Sequence, residues 1–117
     1  MKRAKTVSKK TESGDGKPVI SVIKMKKTCE DVCQILKSLS HPQRLMILGH
    51  LLNGMRTVSQ LVELTDISQS QMSQFLTRLK YEGLIQSERQ GKYQYYSIAD
   101  ERLVHLMTAI QNNYCRL

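Results

Sequence analysis

The sequence predicts a mainly α-helical domain carrying one small β-hairpin. Apolar residues recur at three- and four-residue steps through most of positions 28–115, with capping residues standing just before these stretches. A single pair of β-prone runs then flanks a glycine-containing turn. Thr28 is expected to cap a first helix from Cys29, with Glu30 and Asp31 in the first turn, where the helix dipole favours anions. Val32, Ile35, Leu36 and Leu39 share one of its faces. Pro42 steers the residue before it away from helical geometry and suits the first position of a second helix, with Ser40 or His41 as cap. Leu45, Met46, Leu48, Leu51 and Leu52 follow, and Asn53-Gly54 is a stop signal. Thr57 and Gln60 have capping-box spacing before a short third helix with Val58, Leu61, Val62 and Leu64. After a turn at Thr65-Asp66-Ile67, Ser68 caps a fourth helix that buries Met72, Phe75, Leu76 and Leu79 and closes at Gly83. Leu84–Glu88 and Tyr93–Ile98 are the expected strands, joined through Arg89-Gln90-Gly91-Lys92. Asp100 caps a last helix with Leu103, Leu106, Met107, Ile110 and Tyr114 along one side.

At 117 residues, 40% of them hydrophobic, the chain has room for one compact domain. No apolar run approaches the roughly 18 residues of a membrane helix, and Val19–Ile23 is too short for an export signal, so the expected location is the cytoplasm. Three cysteines there do not make a disulfide framework. The net charge of +8 is concentrated at one end: residues 1–27 carry nine cations against Glu12 and Asp15. The expected organisation is a basic flexible arm over 1–27 and a folded domain over 28–117. Because that domain is almost neutral, bulk charge alone says little about its partners.

Two short helices joined by a tight turn and followed at once by a hairpin make a helix-turn-helix with a wing. The second of those helices carries Gln69, Ser70, Gln71, Ser73, Gln74, Thr77 and Arg78, with no acid before Glu82. Glutamine pairs with adenine N6 and N7, and Ser or Thr hydroxyls with either base type, so this face suits the major groove of duplex DNA. A surface helix without a partner would more commonly mix Glu and Lys. Arg89 and Lys92, at the hairpin tip, suit phosphate or the minor groove. An architectural protein blind to sequence would use the basic arm but would not need the amide-rich helix. No phosphate loop, carboxylate pair or nucleophile set suggests an enzyme, and Cys29-X-X-X-Cys33 lacks the spacing of a disulfide exchanger.

Leu39-Ser40-His41-Pro42-Gln43-Arg44-Leu45, Ile67 through Leu76, Leu79, Gly83-Leu84-Ile85 and the wing from Arg89 to Ile98 together resemble the ArsR/SmtB family of winged helix-turn-helix repressors. The resemblance covers about residues 28–115. It implies a homodimer formed by the first and last helices, bound to an operator until an inducer releases it. The amphipathic terminal helices of so small a domain agree with a dimer. The operator is then an inverted repeat with half-sites roughly 34–36 Å apart.

The family's best-known metal sites do not fit. The third-helix Cys-X-Cys is replaced by Ser59-Gln60-Leu61-Val62-Glu63-Leu64, and the last helix has Asp100 and His105 but no second His or acid beyond His105. His41, His50 and His105 read as capping, surface or core residues, and no cofactor is expected. Cys29 and Cys33 share a helix face, and Cys115 lies near the chain's end. If the terminal helices meet at a dimer seam, Cys33 and Cys115 come within disulfide reach. The stretch Ile110–Cys115 is similar to a sulfide- and redox-responsive subgroup, in which a last-helix cysteine bridges to one in the second helix. The matching position here is Gly49, so Cys33 or Cys29 would have to substitute. Three readings stand: thiol sensing of oxidants or reactive sulfur through Cys33 and Cys115, a Cys29/Cys33/Cys115 trithiolate for a metal or metalloid, and inert thiols.

Overall fold

The computed structural model describes residues 22–115. Five helices and one hairpin follow in order: α1 (Val22–Leu39), α2 (Pro42–Leu52), α3 (Val58–Leu64), α4 (Gln69–Tyr81), β1 (Ile85–Gln90), β2 (Tyr93–Ile98) and α5 (Glu101–Tyr114). They fall into two units that divide between Ile35 and Leu36, so α1 supplies all the described residues of the first unit and its last turn belongs to the second.

The start of α1 corrects the expected boundary. Thr28 has cap chemistry but lies inside a helix already running at Val22, and Glu30 and Asp31 are mid-helix. Lys24, Lys26 and Lys27 are therefore helical, while residues 1–21 of the expected arm lie outside the described residues. The longer helix extends the apolar stripe to Val22, Met25, Cys29, Val32, Leu36 and Leu39, alternating three- and four-residue steps as a coiled-coil seam does.

The second unit has a core of Leu, Ile and Met. Ile47, Leu48 and Leu51 of α2 are buried with Leu61 of α3, Met72, Leu76 and Leu79 of α4, and Leu103 and Met107 of α5. Each large apolar side chain so buried contributes about 1.5–3 kcal/mol. Three caps form as read: Thr57 and Gln60 close a full capping box on α3, Ser68 accepts from the Gln71 amide, and Asp100 accepts from the Arg102 amide. His41 occupies the α2 cap position but makes no side-chain cap bond; its ring instead lies edge-on to Phe75, centroids 5.3 Å apart.

The hairpin is tighter than expected. Ile85 pairs with Ile98 and Gln90 with Tyr93, which leaves Gly91-Lys92 as the loop and puts Arg89 and Gln90 in the strand. Gly91 has φ +68° and no other loop residue has positive φ, as a type II′ turn requires. Arg56 adds a short third rung, exchanging backbone hydrogen bonds of 3.1 and 2.7 Å with Tyr96.

Candidate nucleic-acid interface

The α3–turn–α4 corner is fixed by side-chain bonds to backbone. The Thr65 hydroxyl donates to the Leu61 carbonyl at 2.7 Å and accepts from the Ile67 amide at 3.3 Å, while Ile67 is buried beneath the turn. Ser68 then starts α4 with its oxygen on the Gln71 amide. Met72, Leu76 and Leu79 anchor the inner face, with Phe75 half-buried beside them. What remains outward is the amide and hydroxyl face.

Gln69, Ser70, Gln71, Ser73, Gln74, Thr77 and Arg78 are all exposed on α4. At about 100° per residue, Ser70, Gln74 and Thr77 lie opposite the buried stripe, while Gln69 and Gln71 stand at its margins. Ser73, Gln74, Thr77, Arg78 and Tyr81 line a shallow open depression of about 450 Å³. Tyr81 is the residue that sequence reasoning missed: it is 87% exposed and continues the same stripe. The signal was there in its spacing of four and seven residues beyond Thr77 and Gln74.

The wing is tied to α4. The Lys80 ammonium and the Gln94 amide both donate to the Ser87 hydroxyl at 2.8 Å, joining α4, β1 and β2. Lys92 sits in the loop with its ammonium 5.8 Å from the centre of the Tyr93 ring, and Arg89 is exposed within β1 rather than at the tip. Two carboxylates in the unit titrate low. Glu82, at the C-cap of α4, is raised by partial burial but lowered further by hydrogen bonds from Ser38 and Arg78 and by the Arg44 and Arg78 charges. The Arg102 side chain, bonded to Asp100, depresses that carboxyl despite a smaller burial penalty.

All three cysteines are free and exposed. Cys29 and Cys33 lie on α1, and Cys115 is the C-cap of α5. Cys115 borders a mostly apolar cavity of about 430 Å³ between α2 and α5, whose wall includes Leu45, Met46, His50, Met107 and Ile110. Gly49 lines the same cavity, and a Cβ built on it meets nothing within 4 Å. Among the described residues no three His, Cys, Asp or Glu side chains are grouped to hold a metal ion, so a trithiolate within one subunit draws no support. No described helix is long and apolar enough to cross a membrane.

Residues 41–87 match the sequence profile described as "Bacterial regulatory protein, arsR family". The HTH-type transcriptional regulator YgaV of Escherichia coli is 37% identical over 75% of this chain and 90% of its own length. The biofilm growth-associated repressor of Xylella fastidiosa is 31% identical over 86% of this chain and 89% of its own. A crystal structure described as a predicted DNA-binding transcriptional regulator from E. coli superposes with a TM-score of 0.77 at 33% identity, covering 80% of this chain and all of that one. The homodimeric winged helix-turn-helix domain of a possible ArsR-family regulator from Mycobacterium bovis gives 0.67 at 31% identity, covering 84% and 87%.

Proposed function

From a chain that belongs to the ArsR family of bacterial regulatory proteins, we infer a homodimeric, sequence-specific transcriptional repressor that reads an inverted-repeat operator and is released by thiol chemistry. The observation that carries it is the outer face of α4, where amides and hydroxyls stand exposed beside an anchored wing. Gln74, Thr77 and Ser70 face base edges, with Ser73, Gln69 and Gln71 beside them. Arg78, Arg89 and Lys92 contact phosphate or the minor groove. The cations of residues 1–27 add attraction to flanking phosphates that is blind to sequence.

Two observations favour the dimer. Val22, Met25, Val32 and Leu36 leave an apolar stripe exposed on α1, and a related domain is homodimeric. The seam buries that stripe against a second copy, so that each α4 reaches one half-site. The regulator acts in the cytoplasm, on duplex DNA, and is not an enzyme.

For sensing, Cys115 is the reactive thiol, partnered by Cys33. Oxidation joins them in a disulfide, with two protons and two electrons passing to the oxidant. With a persulfide, the Cys115 thiolate attacks the sulfane sulfur and the donor leaves as a thiol. An exposed thiol bordering an apolar cavity supports this reading, because the substituent has room to enter and to press α2 and α5 apart. The test compares affinity for a duplex selected from a random pool, before and after persulfide or peroxide. Treated protein is expected to release the duplex, and treated Cys115→Ser to hold it. Release by the treated variant refutes the assignment.

A further inference from the structure

A chain of three side chains runs from the last turn of α1 to the outer face of α4. The Ser38 hydroxyl, on a residue only 7% exposed, donates to Glu82 Oε1 at 2.6 Å. Arg78 Nε donates to Glu82 Oε2 at 3.0 Å. Below them, Arg44 Nη1 donates to the Ser38 carbonyl at 3.4 Å, and its Nε is buried without a partner among the described residues. Glu82 stands at the C-terminus of α4, where the helix dipole disfavours an anion. A carboxylate kept there, with each oxygen bonded to a different element, must be held by its partners. The bond to Arg78 uses Nε, so the two terminal amino groups of the guanidinium take no part in it.

We propose that Glu82, clamped by Ser38, is a positioning residue that aims Arg78 at the DNA backbone. The consequence is that the last turn of α1 and the DNA-facing side of α4 are mechanically joined. A long arginine side chain otherwise samples many rotamers, and fixing its inner nitrogen removes much of that loss from the binding step. A shift of the α1 turn that breaks the Ser38 bond frees the carboxylate, which then follows Arg78 and competes with phosphate for it. The inference rests on α4 being the DNA-contacting helix, and the test separates the two.

The experiment is a double-mutant cycle on the full chain, reading affinity and salt dependence for the duplex selected by the unmodified protein. Ser38→Ala leaves the net charge unchanged and touches neither DNA nor Arg78. It is expected to weaken binding roughly fivefold in the unmodified background and to have no effect in Arg78→Ala. Ser38→Thr, which keeps the hydroxyl, should restore affinity. Glu82→Gln provides a second route if Ser38→Ala unfolds: removing an anion should by itself tighten DNA binding, so weaker binding by this variant identifies positioning. Equal losses from Ser38→Ala with and without Arg78 overturn the proposal, because they report a general effect on stability. Affinity unchanged in both Ser38→Ala and Glu82→Gln also overturns it, with the DNA-helix reading intact provided Arg78→Ala still weakens binding. If Arg78→Ala binds as the unmodified protein does, or if no duplex is selected, the reading of α4 fails and the relay with it.

Discussion

At the scale of single residues, two positions carry consequences the sequence could only hint at. Gly49 was legible as the place where a second thiol is missing, but not that its missing side chain would point into the space bordered by Cys115. Gly49→Cys should therefore place two thiols in one cavity. Mild oxidation is expected to bridge them within one subunit, seen as a loss of two hydrogens in the intact mass and a crosslinked peptide pair. A peptide map without that pair contradicts the placement. Glu82 was legible only as the acid that ends the neutral face of α4. Its bond to Ser38 spans 44 residues and no local pattern announces it. Its carboxyl is held below the ordinary value of about 4.5, so the folded state gains stability from it above that pH. The gain falls away as pH drops through the lowered folded value, where the carboxylate protonates. The stability difference between the unmodified protein and Glu82→Gln should thus narrow on acidification below about pH 4.5, followed by denaturant titration. A difference that stays constant with pH removes the charge from the account of this site.

At the scale of elements, what was legible followed chemistry that acts over three or four residues. The capping box at Thr57 and Gln60, the Ser68 and Asp100 caps and the glycine stop at Gly83 (φ +79°) all stand where their local bonds require. The start of α1 was not legible, because Thr28 followed by Glu30 and Asp31 imitates a helix start and the lysines before it imitate a solvated arm. The longer heptad stripe decides the matter, and its use depends on a partner that a single-helix pattern does not display. The hairpin turn was read too long because Arg89 and Gln90 have no strand preference of their own, yet cross-strand pairing with Gln94 and Tyr93 recruits them. Gly91 then bears the positive φ alone. Gly91→Ala is expected to destabilise the domain by about 1–2 kcal/mol in thermal or denaturant unfolding. Full retention of stability would mean that the turn is remodelled at no cost.

At the scale of the whole molecule, the amide-bearing side of α4 and the exposed stripe on α1 answer different needs. Under the proposed function, one reads bases and the other brings a second reader into register. Most of the chain's net positive charge lies in residues 1–27, and under the proposed function it adds affinity without choosing a sequence. Sequence choice must then come from few side chains, and Gln74 is the amide set most squarely opposite the buried face. The most direct measurement is the base preference of the unmodified protein and of Gln74→Ala, each scored on every single-base variant of the selected duplex. The expected result is an inverted repeat whose preference relaxes in the variant by about 1–3 kcal/mol at one position, symmetrically in both half-sites. An unrelaxed preference at every position, or a duplex without two-fold symmetry, contradicts a dimer reading bases through α4.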